Sequence, residues 1–300
     1  MAIYLKNKKL KNKKMITPLL RKFGYFYTEI EKLYSDKEYE IISVYDKSSK
    51  IYLLKLFKKD YAPEKFLNEV KIYSLLSKTD NPFFFKYKSN SNDEMIVKEK
   101  YIVFELAKMD SLINFISEGN FLTEQSAKIV AWKLLHSVKY MHQKGIAHRC
   151  ISVKNIYLDR YFNCKIGKLD SALMLENADK DAIQNYFRKD IIKLGLLLIQ
   201  LLTGKYILEN NKDLIRLIKG KKSDNTKTKC ELFWKIIYMN GVFDFNKDLK
   251  NLVEIMIFGK ISDIQVILNH SWFSGIENEF EKAGIGTKDD FKKKEGANTP

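Results

Sequence analysis

The stretch 145–172, GIAHRCISVKNIYLDRYFNCKIGKLDSA, constrains this 300-residue chain more than any other. A polar, turn-like run at 148–155 is followed by an apolar one, Ile156–Leu158. A turn at 159–163 leads into a second short apolar run, Cys164–Ile166. Two short apolar runs around a turn predict a β-hairpin. The run entering it carries His148, Arg149, Lys154 and Asn155. A long helix leads into that run. Thr123 is its N-cap, Glu124 sits in its first turn and Gly145 stops it. Ala127, Ala131, Leu134, Val138 and Met141 form one apolar stripe along it.

This arrangement resembles the catalytic core of the eukaryotic protein kinases. There a loop reading His-Arg-Asp-Leu-Lys-x-x-Asn precedes a hairpin that leads into Asp-Phe-Gly. Here the loop reads His148-Arg149-Cys150-Ile151-Ser152-Val153-Lys154-Asn155, and the second motif is Lys168-Leu169-Asp170. The frame is kept and both carboxylates are absent from their places. Cys150 stands where the family has the catalytic acid, and Lys168, thirteen positions after Asn155, where it has the metal ligand.

Other stretches carry the resemblance over about 23–273. Tyr52-Leu53-Leu54-Lys55 is similar to the family's Val-Ala-Ile-Lys strand. A helix at 63–78 places Phe66, Val70, Tyr73 and Leu76 near helical spacing and carries Glu69, the implied partner of Lys55. Asp190 opens a helix apolar nearly all round, to Gly204; Asp190 reads either as its N-cap or as the acid that braces the catalytic loop. The ending Asn269-His270-Ser271-Trp272-Phe273 resembles the closing helix of calcium/calmodulin-type serine/threonine kinases. The implied fold class is α+β, two-lobed and kinase-like. Its β-rich N-lobe covers 21–106 and its mainly helical C-lobe 107–275. A basic arm at 1–20 and a polar, disordered tail at 276–300 flank it.

The resemblance implies a nucleotide site of Lys55, Glu69 and Asn155. Leu53 and Tyr157 fall at the adenine-sandwiching places, and Glu105 and Ala107 at the hinge. Several features make that site vestigial. The glycine-loop places hold Tyr34, Asp36 and Tyr39, and after Gly24 the next glycine is Gly119. Bare backbone N–H groups are what such a loop offers to phosphate, so Asp36 there is adverse. Leu53 and Tyr157 are larger than the family's residues and predict a self-filled pocket. The stretch between Lys168 and Asp190 is short for an activation segment and lacks Ala-Pro-Glu. No cofactor is expected. ATP and Mg enter only in a rival reading, a weak serine/threonine kinase in which Asp170 slides into the ligand place. Cys150 as a thiol nucleophile is disfavoured, since the resemblance packs His148 into the core.

The net charge of +16 favours acidic partners, although solvated surface Lys gives the same sum. Lys6, Lys8, Lys9, Lys11, Lys13 and Lys14 form a basic cluster. It suits nucleic acid or anionic lipid, against the simpler reading of a solvated terminus. Three cysteines without a C-x-x-C pair argue against a disulfide framework or zinc site and for a reducing compartment. The longest apolar run, 194–202, is too short to span a bilayer. The expectation is an intracellular protein, cytoplasmic or nuclear. It is read as a catalytically inactive kinase-like protein that scaffolds or regulates another protein, an active kinase being one such partner.

Overall fold

The computed structural model describes residues 22–23, 27–77, 82–91, 99–106, 110–117, 119–158, 163–205, 211–220, 225–241 and 243–282. The basic cluster at 6–14 lies outside the described residues, as does Ala107. The chain divides into two compact units, 1–110 and 111–300.

Among its described residues, the first unit is an antiparallel sheet with one α-helix. Its strands are β1 (Lys22–Phe23), β2 (Tyr27–Ser35), β3 (Tyr39–Tyr45), β4 (Ile51–Phe57), β5 (Tyr87–Asn90) and β6 (Tyr101–Glu105), in the order β1-β2-β3-β4-β6-β5. Between β3 and β4, Asp46 accepts the N–H groups of Ser48 and Lys50, which closes the turn. The register sets Ile41 opposite Lys55 and Tyr39 opposite Phe57. Because side chains alternate, Tyr39, Ile41, Lys55 and Phe57 share one face. The other face buries Ile42, Val44, Leu54, Leu56 and Val103. Helix α1 (Pro63–Leu76) starts with Pro in its first turn, where the missing N–H costs nothing. It lies on the Lys55 face, with Phe66 against Phe57 and Tyr73 against Phe104. Phe83 and Phe84 are buried just ahead of β5, with Phe84 forming a single bridge.

One ion cluster in this unit gives a pH dependence. Glu40 is 6% exposed and accepts from Lys32 at 2.8 Å and Lys58 at 2.6 Å. Those two hydrogen bonds hold its carboxyl down at about 2. The folded value lies below the ordinary one of 4.5, so the stabilisation is whole above pH 4.5 and is lost as pH falls towards 2. Both lysines are more than a third exposed, so screening holds the effect to about 1–2 kcal/mol. Glu40→Gln is expected to lower stability by that amount at pH 7 and to flatten the decline between pH 4.5 and 2, as read by denaturant melts across pH.

The second unit is mainly helical. After β7 (Asp110–Ser111) come α2 (Leu112–Ser117), α3 (Glu124–Gln143), β8 (Ile146–Ala147), β9 (Ile156–Leu158), β10 (Cys164–Ile166) and β11 (Leu173–Met174). Then follow α4 (Lys180–Thr203), α5 (Lys212–Lys219), α6 (Thr226–Met239), α7 (Lys247–Phe258), α8 (Ile264–Leu268) and α9 (Ile276–Lys282). The expected hairpin forms: β9 and β10 pair antiparallel, with Tyr157 opposite Lys165. Thr123 caps α3 by accepting the Ser126 N–H. Helix α4 packs on α3 and α7. At Gly195 an added Cβ would stand 3.0 Å from Cβ of Met256, so any side chain there would have to push α7 back by a few tenths of an ångström.

Two expectations are corrected here. The central helix does not open at Asp190 but at Lys180, because Asp179 caps it by accepting the Ala182 N–H at 2.7 Å. Asp190 is therefore an interior helical residue and not an N-cap. The polar tail does not begin at 276 either. Residues Ile276–Lys282 form α9, and Phe280 is fully buried with its ring 5.1 Å from that of Trp132. Burying one aromatic ring outweighs the surrounding polar residues. Among the described residues no helix is long and apolar enough to cross a membrane.

Candidate active site

Lys55 and Glu69 meet as the sequence pattern implied. Lys55 Nζ donates to Glu69 Oε1 at 2.7 Å and Oε2 at 3.0 Å. Glu69 is fully buried and Lys55 is 6% exposed, so each charge depends on the other. The same ammonium lies 4.3 Å from the ring centre of Tyr39 and 4.8 Å from that of Phe57. The strand register causes this, since both rings share the Lys55 face and the diagonal spacing in a sheet is within reach of an aromatic side chain. Lys55 is thus held by a carboxylate and covered by two aromatic faces. Leu53 is buried on the same face. Glu105 sits at the end of β6, 3.7 Å from Lys50.

Tyr34 stands near the end of β2, Asp36 in the turn and Tyr39 at the start of β3. Asp36 Oδ1 accepts the backbone N–H of Glu38 at 2.7 Å and of Tyr39 at 2.9 Å. Its Oδ2 accepts the Tyr34 hydroxyl at 2.9 Å. This is an Asx-type turn, in which a side-chain carboxylate takes the amides that would otherwise face outward. Sequence reasoning noted only the charge of Asp36. An Asp between two strands is the one sequence signal for this bonding; the Tyr39–Lys55 contact has none, because it follows from strand register.

In the second unit the loop 148–155 hangs on Asp190. That carboxylate accepts the backbone N–H of His148 and of Arg149, each at 2.8 Å, and contacts His142 Nε2 at 3.1 Å. Asp190 is fully buried, and the His142 ring stacks on Phe187 at 3.8 Å. Arg149 holds a left-handed φ of 66°, uncommon for a residue with a Cβ, and the two bonds from its loop to Asp190 keep it there. His148 is buried. Its Nε2–H donates to the Gly167 carbonyl at 3.1 Å, and its Nδ1 accepts the Cys150 N–H at 3.2 Å. Burial pushes its pKa below the ordinary imidazole value, in keeping with a neutral ring in a structural role. Asn155 Nδ2 donates to the Cys150 carbonyl at 2.7 Å and lies 3.3 Å from Cys150 Sγ. Cys150 therefore faces an amide, and its own N–H holds His148. Tyr157 is half-buried in β9.

Lys168 also takes a left-handed φ, 60°, at the entry to a 3₁₀ turn over Leu169–Ser171. Its Nζ lies 3.6 Å from Asp170 Oδ2, and the Ser171 hydroxyl donates to Asp170 Oδ1 at 3.3 Å. Asp170 is thus engaged by its own neighbours. Beyond it, only 172–179 separates the turn from α4. Arg188, in the early turns of α4, donates to the Gly259 carbonyl at 3.0 Å and fastens that helix to the end of α7. Among the described residues no three His, Cys, Asp or Glu side chains are grouped to hold a metal ion.

Residues 39–186 match the family model of the protein kinase domain. The fold is that of a protein kinase domain. Its sheet-rich N-terminal region carries Lys55 and Glu69, and its helical C-terminal region carries the 148–155 loop. The cell cycle serine/threonine-protein kinase CDC5/MSD2 of Saccharomyces cerevisiae is 27% identical over 167 residues, covering 49% of this chain and 23% of that protein. A probable cell cycle serine/threonine-protein kinase, the CDC5 homolog of Encephalitozoon cuniculi, is 25% identical over 229 residues, covering 69% of this chain and 45% of that protein. The serine/threonine-protein kinase polo of Drosophila melanogaster is 29% identical over 143 residues, covering 47% of this chain and 24% of that protein. The chain spans less than half the length of each. The matches support the kinase superfamily with serine/threonine kinase relatives.

Proposed function

We propose that this chain keeps the kinase fold but not phosphoryl transfer, and that it acts by binding another protein as a scaffold or allosteric regulator. The observation that carries this reading is the turn at 34–39. Where a kinase offers backbone amides to phosphate, Asp36 takes the Glu38 and Tyr39 amides for itself, and the Tyr39 ring covers the Lys55 ammonium. Anionic phosphate would have to displace a carboxylate already in place. These residues do not fit Mg-ATP.

Further features support the same reading. Phosphoryl transfer needs a base, a metal and positioned phosphates. Cys150 in place of the acid removes a general base, a loss of about 10²–10⁴ in rate. Lys168 in place of the metal ligand sets a cation against a cation. One such unit-charge pair costs about 4 kcal/mol at 4 Å and an effective dielectric near 20. The extension of α4 back to Lys180 replaces chain that a kinase uses to dock its peptide substrate. On this reading the bulk of Leu53 in the first unit and of Tyr157 in the second is each adverse to adenine. The ending His270-Ser271-Trp272-Phe273 favours the calcium/calmodulin-type branch, and the fold suits a cytoplasmic or nuclear protein. The Lys-rich arm at 6–14 adds a polyanion-binding reading, whose mark would be nucleic-acid affinity falling steeply with salt.

The bidentate Lys55–Glu69 pair favours a second reading, a weak serine/threonine kinase using Asp170. Incubation with γ-labelled Mg-ATP and a basic acceptor protein separates the two. The expected result is no label above that of heat-denatured protein, in the chain or in the acceptor. Label that disappears in Asp170→Asn would establish the second reading.

A further inference from the structure

The region between α5 and α6 lies outside residues 39–186 and plays no part in the reading above. A groove of about 340 Å³ opens there, within the range of small-ligand and side-chain pockets. Arg216 and Leu217 line it from α5, and Thr228, Lys229 and Leu232 from α6. No Asp or Glu is among its described lining residues. The described residues of 211–239 hold six Lys or Arg against two Asp or Glu, so the surrounding field is positive as well, although exposed Asp213 lies 3.6 Å from Arg216.

The apolar part of this surface is not spare core. Helix α6 buries Phe233, Trp234 and Ile237, and Trp234 Nε1 donates to Glu254 of α7 at 2.6 Å. With that face anchored, Leu232 stays 45% exposed in the groove. Met239, two turns further along α6, is 78% exposed, and Ile215 on α5 is 37% exposed. A concave slot with an aliphatic floor and cationic walls recognises one chemistry best.

We propose that the α5–α6 groove binds an acidic segment of a partner protein, with an aliphatic side chain seated on Leu217 and Leu232 and carboxylates facing Arg216 and Lys229. Charge complementarity selects an acidic ligand. The aliphatic floor selects a peptide over nucleic acid, whose phosphodiester backbone has nothing to place there. The inference holds whether or not the chain transfers phosphate.

The test is fluorescence anisotropy on the full chain with a labelled short Glu/Asp-rich peptide carrying two central leucines. The expected result is saturable binding that weakens about tenfold or more in Lys229→Glu and in Leu232→Ser. Binding also weakens when the peptide leucines become serine, and when salt is raised. Melting curves show that the variants fold; if Leu232→Ser does not, Lys229→Glu decides alone. Absence of saturable binding overturns the proposal. So does binding that both variants leave unchanged, since another basic surface then holds the peptide, and so does equal affinity for the leucine-free peptide. Polyuridine or phosphatidylserine vesicles bound through Lys229 and Leu232 in place of the peptide would overturn it too.

Discussion

Glu69→Leu is expected to lower the unfolding free energy by about 3–5 kcal/mol, the largest single effect in the first unit. The reason is what the substitution leaves behind. Lys55 is 6% exposed, with both carboxylate oxygens of Glu69 within 3.0 Å and the rings of Tyr39 and Phe57 over it. Without Glu69 the ammonium keeps only aromatic faces, worth about 0.5–2 kcal/mol, against the cost of a buried unpaired charge. Lys55→Met/Glu69→Leu removes both charges, and apolar groups of similar volume suit the site between Phe66, Ile72 and the sheet. The double variant is therefore expected to recover most of the loss, leaving it within about 1–2 kcal/mol of the natural chain. Urea melts of the natural chain, both singles and the double check this. A double variant no better than Glu69→Leu would mean that the pair is not energetically coupled.

Asp190→Ala is the matching experiment in the second unit, with an expected loss of about 3–5 kcal/mol. One buried carboxylate accepts from the N–H of His148 and the N–H of Arg149 and also contacts His142. Alanine leaves two backbone donors without these acceptors, inside protein and next to a residue held at φ 66°. Asp190→Asn keeps one oxygen but turns an NH₂ toward a donor, so it should fall between alanine and the natural residue. Hydrogen exchange at the His148 and Arg149 amides gives the local readout. Protection that survives Asp190→Ala, with less than about 1 kcal/mol lost, would show that the loop is held by something else. The expected outcome is release of the whole 148–155 segment.

These residues differ in how far the sequence exposed them. The hairpin at 156–166 was legible because apolar runs and a turn alternate cleanly there. Glu69 was legible only through the kinase resemblance, which places the partner of Lys55 there; the apolar period of α1 gives the helix but does not single out this acid. Asp190 was found, but its helix was started ten residues late. The run 180–189 has little apolar periodicity, and the signal that begins it is the lone cap Asp179. The same blindness hid α9, where Phe280 is one ring in a polar run. N-caps also start α6 and α7, since Asn225 and Asn246 each accept an N–H of the following turn. The arrangement at 34–39 was the least legible. A side chain bonding to backbone leaves no hydrophobic pattern, and the approach of Tyr39 to Lys55 depends on a strand register that composition does not specify.

The central proposal is that the chain does not bind Mg-ATP, argued from Asp36 and Tyr39 in the first unit and, separately, from Lys168 in the second. Calorimetric titration of the full chain with ATP, with and without Mg²⁺, tests it most directly. The account predicts no binding tighter than a Kd of about 1 mM, which corresponds to about −4.1 kcal/mol, and no difference on adding Mg²⁺. Saturable binding near 1 μM, about −8.2 kcal/mol, that strengthens with Mg²⁺ would contradict it and return the chain to the active kinases.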